Sequence, residues 1–197
     1  MNIRNHLPQR LIRPGILVSA LLIIAAATTG CGSDHSQPAK AGHTAQSFCA
    51  PFLDYFHSGF PIDGVALSYV GGAADQSIDT GVTCAFSQTG AHSGPSLSAS
   101  VTVRPTKSDE DQNGLQVELK QMNYVLLPGH AKEIWIKDSR VKNGPDQTKG
   151  TVELATRIDP WVSGMDIVNN NDTLAITDAQ VGAAADVLIQ RTEALRQ

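Results

Sequence analysis

The chain reads as an α+β domain, with a mainly antiparallel sheet packed against a short N-terminal helix and a long C-terminal helix, on three observations. Residues 97–103 alternate Leu97, Ala99, Val101 and Val103 with Ser98, Ser100 and Thr102, the period of two expected of a half-buried strand. Near the end, Thr177 and Gln180 stand at capping-box spacing, and Val181, Ala184, Leu188, Thr192 and Leu195 follow on one helical face. Between an early helix and that closing helix lie several strand-like segments with no repeated strand–helix alternation, which disfavours a parallel α/β sheet.

In chain order, Phe48, Phe52, Tyr55 and Phe56 recur at spacings of four, three and one, the stripe of a short helix starting near Ala45. Gly59, Pro61 and Gly64 punctuate its end. Gly71-Gly72 marks a loop, and residues 82–86 (VTCAF) then read as a strand. Residues 115–122 fit two templates. Leu115, Val117 and Leu119 alternate with polar neighbours, while Leu115, Leu119 and Met122 also fit a helix. Residues 131–137, with Ile134, Trp135 and Ile136, predict a strand, and Val152, Leu154 and Ile158 predict another. Asn169-Asn170-Asn171-Asp172 is a turn-forming cluster that predicts a hairpin between residues 165–168 and 173–176.

The first 44 residues carry different information. Arg4, Arg10 and Arg13 stand in residues 1–15 without an acidic residue, and residues 16–27 (ILVSALLIIAAA) are apolar apart from Ser19. Such a stretch spans about 18 Å as a helix, short of the roughly 30 Å hydrocarbon core. An export signal is therefore expected rather than a membrane span. Thr28-Thr29-Gly30-Cys31 follows and resembles the bacterial lipobox, in which a small residue precedes a cysteine that is acylated and becomes the new N-terminus. Thr28 departs from the aliphatic residue usual at its position. The resemblance implies lipidation at Cys31. Residues 32–44 (GSDHSQPAKAGHT) hold no large apolar side chain and read as a flexible spacer. The expected organisation is a signal peptide over 1–30, an acylated Cys31 with spacer over 31–44, and one globular domain over 45–197.

With Cys31 acylated, Cys49 and Cys84 remain, an even pair in an exported, oxidising setting. They predict a disulfide that pins the first helix to a strand. In overall pattern the chain is similar to the small exported lipoproteins of actinobacteria. The Thr-Thr-Gly-Cys leader, the polar spacer, Cys49, Cys84 and the Ala-rich closing helix from Asp178 carry the likeness. It implies an envelope location, lipid-anchored on the extracytoplasmic face, and it carries over no catalytic residues.

Charge narrows the function classes. The chain has 15 basic and 19 acidic residues, a net −4, and loss of a leader holding three of the basic residues leaves −7. Such a domain repels phosphate backbones, which counts against nucleic-acid binding. The sharpest polar constellation is Asp109-Glu110-Asp111-Gln112-Asn113-Gly114, with oxygen ligands at alternating positions before a turning Gly, as in a calcium loop. Lys120 then stands where a bidentate Glu should close the site, so a solvated acidic turn between two strands is expected. Ser139 and Lys142 match S-x-x-K, but the S-D-N and K-T-G partners of that motif are missing from the sequence. His57, His92 and His130 lack ligand spacing. Trp135 and Trp161 are candidates to line an apolar pocket, although two tryptophans in a core need no ligand to explain them. Asn171-Asp172-Thr173 fits the glycosylation sequon formally and is expected to be a turn.

No catalytic residue, cofactor or metal ligand is predicted. The favoured expectation is a non-enzymatic interaction or accessory module that binds an envelope protein or polymer. The alternative is a carrier or sensor of a small apolar ligand, such as a lipid, held between sheet and helix. A dispersed active site would leave no local motif.

Overall fold

Alternation at residues 97–103 sets the central register of the molecule. The computed structural model describes residues 43–89, 96–107, 112–142, 148–169 and 174–197. Its elements are α1 (Ala45–Gly59), β1 (Val65–Val70), β2 (Val82–Gln88), β3 (Leu97–Pro105), α2 (Gln112–Gln121), β4 (Val125–Leu126), β5 (Ile134–Asp138), β6 (Val141–Lys142), β7 (Thr148–Ile158), β8 (Trp161–Asn169) and α3 (Asp178–Ala194). The strands form one open antiparallel sheet in the order β1-β2-β3-β8-β7-β5-β4, with β6 paired to β7. The fold is α+β.

One face of the sheet is apolar and carries α1 and α3. Leu97, Ala99, Val101 and Val103 of β3 are buried there with Met165 and Ile167 of β8, while the intervening residues of β3 are half-buried or exposed. Phe48, Phe52 and Phe56 fill the space beneath α1, and Val181, Ala184, Leu188 and Thr192 bury the inner face of α3. Full burial of side chains of this size is worth about 1.5–3 kcal/mol each. Thr192 is polar within that face and satisfies itself, donating to the Leu188 carbonyl at 2.7 Å and pairing with Ser163 Oγ at 2.8 Å. Both helices start on capping boxes, Thr44 with Ser47 and Thr177 with Gln180.

The disulfide joins Cys49 of α1 to Cys84 of β2, with a Cα–Cα distance of 5.8 Å and both residues fully buried. The predicted pinning of helix to strand is present.

The second face is mostly short and polar. Ser68, Ala85, Ser100, Asp166, Glu153 and Lys137 lie in one register row across six strands. Among the described residues, a helix packs on this face at its β5 side. There Leu115 and Leu119 of α2 pack on Trp135, with Tyr124, Ala155 and Val162 around them. The two-template segment is therefore helical: Leu115 and Leu119 are buried four residues apart, and Val117 between them is 53% exposed.

Two expectations are corrected. Asn169 belongs to β8, which pairs with β3 and β7, and residues 174–177 form no strand, so the hairpin expected across the Asn cluster is not there. The tight hairpin is β7–β8, turning at Asp159-Pro160 through a cis peptide. Gln112, Asn113 and Gly114, the end of the acidic run, are the first residues of α2 rather than a turn before a second strand. Trp135 and Trp161 both pack in apolar cores, as two tryptophans of a folded domain are expected to. Trp135 belongs to the α2 cluster, while Trp161 packs on the main core and donates its indole N–H to the Leu195 carbonyl at 3.2 Å.

Candidate functional site

A concavity lies where the β4–β5 end of the sheet meets the first turns of α3. It is a half-open cleft of about 500 Å³, lined by Val125, Leu127, His130, Ile136, Asp138, Arg140, Asp178, Val181 and Gly182. That volume falls in the range of ligand sites, roughly 300–1,000 Å³. Alternation along β5 directs Ile136 to the helix side and Trp135 to the other, and Val125 stands opposite Ile136 in the ladder. These two and Leu127 form an apolar strip.

Arg140 closes one end. Gly150 of β7, at φ +131°, permits the approach, because a Cβ there would lie 2.5 Å from the Ser139 carbonyl. The Arg140 side chain is only 4% exposed. Its Nε and Nη2 donate to the two oxygens of Asp138 at 2.8 and 2.6 Å, and Nη2 also donates to Asp178 at 2.7 Å. Nη1 donates to the Ile176 carbonyl. Hydrogen bonding to Asp138, opposed by burial and reinforced by Asp178, raises the guanidinium pKa further. One cation thus answers two carboxylates, and this end stays net negative. At the other end His130 Nδ1 donates to Asp186 at 2.7 Å, tying the β4–β5 loop to α3.

The wall contributed by α3 is Asp178, Val181 and Gly182; Asp186, four residues beyond Gly182 on the same helical face, borders the cleft through its bond with His130. Gly182 costs the helix about 1 kcal/mol relative to Ala. Packing does not require it, since a Cβ there would meet nothing within 4 Å. Its missing side chain leaves the cleft floor open.

A second group of titratable residues sits on the polar sheet face. Glu153 accepts from Tyr124 at 2.8 Å and pairs with Lys137 at 2.9 Å. Burial pushes Glu153 up, yet the hydrogen bonds from Lys137 and Tyr124 carry it below its ordinary value. Asp166, its neighbour across the ladder, is raised by burial and by the Glu153 charge, despite a hydrogen bond from Ser100.

Of the residues singled out from sequence, Cys49 and Cys84 are bonded in the core. Cys31, the lipidation candidate, lies outside the described residues, as do His92, residues 109–111 and the sequon. His57 is exposed and donates from Nε2 to the Val65 carbonyl at 3.0 Å. Ser139 precedes β6 rather than opening a helix, so the S-x-x-K spacing lacks its context. Trp135 borders a notch of about 10 Å³, room for no more than one water. Of these residues only His130 lines the cleft. Asp138, Arg140, Asp178, Gly182 and Asp186 were not anticipated as a group; the Asp–Gly–Asp spacing on the predicted closing helix was the available signal.

No family model, no curated protein and no solved structure matches the chain.

Proposed function

We propose that the chain is an exported lipoprotein, held on the extracytoplasmic face of the membrane by an acylated Cys31. Its domain is a non-enzymatic interaction module of the envelope and engages its partner through the α3–β5 cleft. The cleft carries this reading: an apolar strip beside carboxylates, half-open to solvent, where the β4–β5 end of the sheet meets the start of α3. The lipobox-like leader supports the anchor. The carrier alternative draws on the same cleft, whose volume suits a small ligand. It finds less support between sheet and helices, where Phe48, Phe52, Phe56, Phe86 and Met165 are at most 2% exposed and fill the space.

Two measurements in the native host test the reading. Cys31→Ser should move the protein from the membrane fraction to the medium; continued membrane retention refutes the anchor. A photo-crosslinker replacing Val125 in the full chain should yield a protein adduct that Gly182→Leu abolishes. Adducts indifferent to Gly182→Leu refute the cleft as the engaging surface.

A further inference from the structure

Building on that interaction reading, we infer that the cleft takes an extended segment of a partner protein in which a lysine or arginine stands beside an apolar side chain. The apolar group rests on Val125 and Ile136, and the cation lies over Gly182 between Asp178 and Asp186.

The sign of the charge follows from how the cleft's own charges are spent. The Arg140 side chain is only 4% exposed, and Asp138, Asp178 and the Ile176 carbonyl engage its donors. It has little to offer an incoming anion. Asp178 and Asp186, by contrast, are 79% and 69% exposed at their side chains. The surface a visitor meets is therefore carboxylate over an apolar floor. A bare metal ion does not fit this layout. Eight residues of helix separate the two aspartates by about 12 Å along the axis, whereas a calcium ion holds its ligands at about 2.3–2.6 Å. A basic side chain midway over Gly182 sits about 6 Å along the axis from each, and the glycine gives its stem room.

The shape of the occupant follows from the apolar surface around the cleft. Val125, 61% exposed, lies on β4, the terminal strand of the sheet, so the cleft opens onto a strand edge; Leu126 beside it, 52% exposed, faces the other side with Trp135 and makes that edge apolar on both faces. Open edges of this kind accept extended peptide backbone, with pockets reading alternate side chains. An extended segment covers both the edge and the cleft, which a compact small molecule does not.

The test is selection of a random dodecapeptide library on the purified full chain, with each enriched peptide then measured against variants. The expected result is enrichment of sequences with Lys or Arg next to an aliphatic residue. Their binding should be abolished by Gly182→Leu, and Asp186→Asn should weaken it about threefold, the size of one exposed charge pair. Asp186→Asn keeps an oxygen for His130 and serves as the variant least able to disturb folding, with thermal midpoints recorded for both. Peptides that need an open Gly182 but are acidic or uncharged overturn the inference and leave the interaction reading standing. Enriched peptides all indifferent to Gly182→Leu, or none enriched, overturn both.

Discussion

Removal of the Cys49–Cys84 bridge has a calculable cost. The two cysteines are 35 residues apart, and both are fully buried between α1 and β2. For a closed loop of that length the chain-entropy relation gives about 4 kcal/mol of stabilisation, by restricting the unfolded chain. Truncating both sulfurs to methyl groups in a packed interior adds about 1 kcal/mol. Domains of this size are stable by about 5–15 kcal/mol in total, so Cys49→Ala/Cys84→Ala should lose a large share. At roughly 2–4 °C per kcal/mol, the melting midpoint should fall by about 10–20 °C. Urea unfolding followed by circular dichroism measures the free energy directly. The slope against urea should also increase, since the uncrosslinked chain exposes more surface when unfolded. A stability within about 1 kcal/mol of the parent would refute the reasoning. So would free alkylation of both thiols in the native protein.

Other substitutions test individual parts of the cleft and sheet. Gly182→Ala should raise thermal stability by about 0.5–1 kcal/mol, because the helix gains propensity and the new methyl meets open space; a loss would show that the floor is not open. Arg140→Met should cost about 3 kcal/mol in urea unfolding, since it removes the guanidinium's bonds to Asp138, Asp178 and the Ile176 carbonyl at a site with 4% side-chain exposure; a cost under about 1 kcal/mol contradicts the buried ion network. Glu153, lowered in the fold, contributes stability above the ordinary carboxylate range and loses it as pH falls through its lowered value. Glu153→Gln should accordingly weaken the protein at pH 7 by less than about 1 kcal/mol and flatten the acid side of its stability curve. Asp166 is raised, so its ionisation opposes folding above its raised value. Asp166→Asn should be stabilising at neutral pH, with the gain vanishing once pH falls below the ordinary value of 3.8; a destabilising effect at pH 7 would reverse the assigned sign.

Local periodicity made the outer framework legible. Phe48, Phe52 and Phe56 lie at multiples of four and all three are buried, so one stripe sufficed to identify α1. The alternation of β3 was clear because its second face carries Ser98, Ser100 and Thr102, short polar residues with no helix packed on them. At residues 115–119 the same logic left two answers, since three apolar residues at spacing two fit either period. Exposure of Val117 decides it, and exposure is a tertiary property. β1 escaped notice because only Val65 of its six residues is buried, which leaves an edge strand little pattern. The Asn cluster drew the hairpin to the wrong place. Asn169 instead uses its side-chain amide on the Leu174 carbonyl, while the true turn at Asp159-Pro160 is only two residues long. The cleft was less legible still. Its walls come from residues 125–140 and 178–186, which are distant in sequence, and Arg140 gains its partners only when β5 meets the start of α3. Asp178–Gly182–Asp186 alone was local enough to read.

Carboxyl footprinting of the full chain tests the central claim most directly. Asp178 is exposed on the cleft wall and Asp186 beside it, bonded to His130, while Asp54 and Asp63 are exposed away from it. Labelling with a carbodiimide and an amine is compared between purified protein and protein in its own host membranes. If the cleft is the engaged surface, modification of Asp178 and Asp186 falls severalfold in membranes while Asp54 and Asp63 react as before. Equal labelling of all four in both settings, or protection at Asp54 and Asp63 instead, would contradict the account.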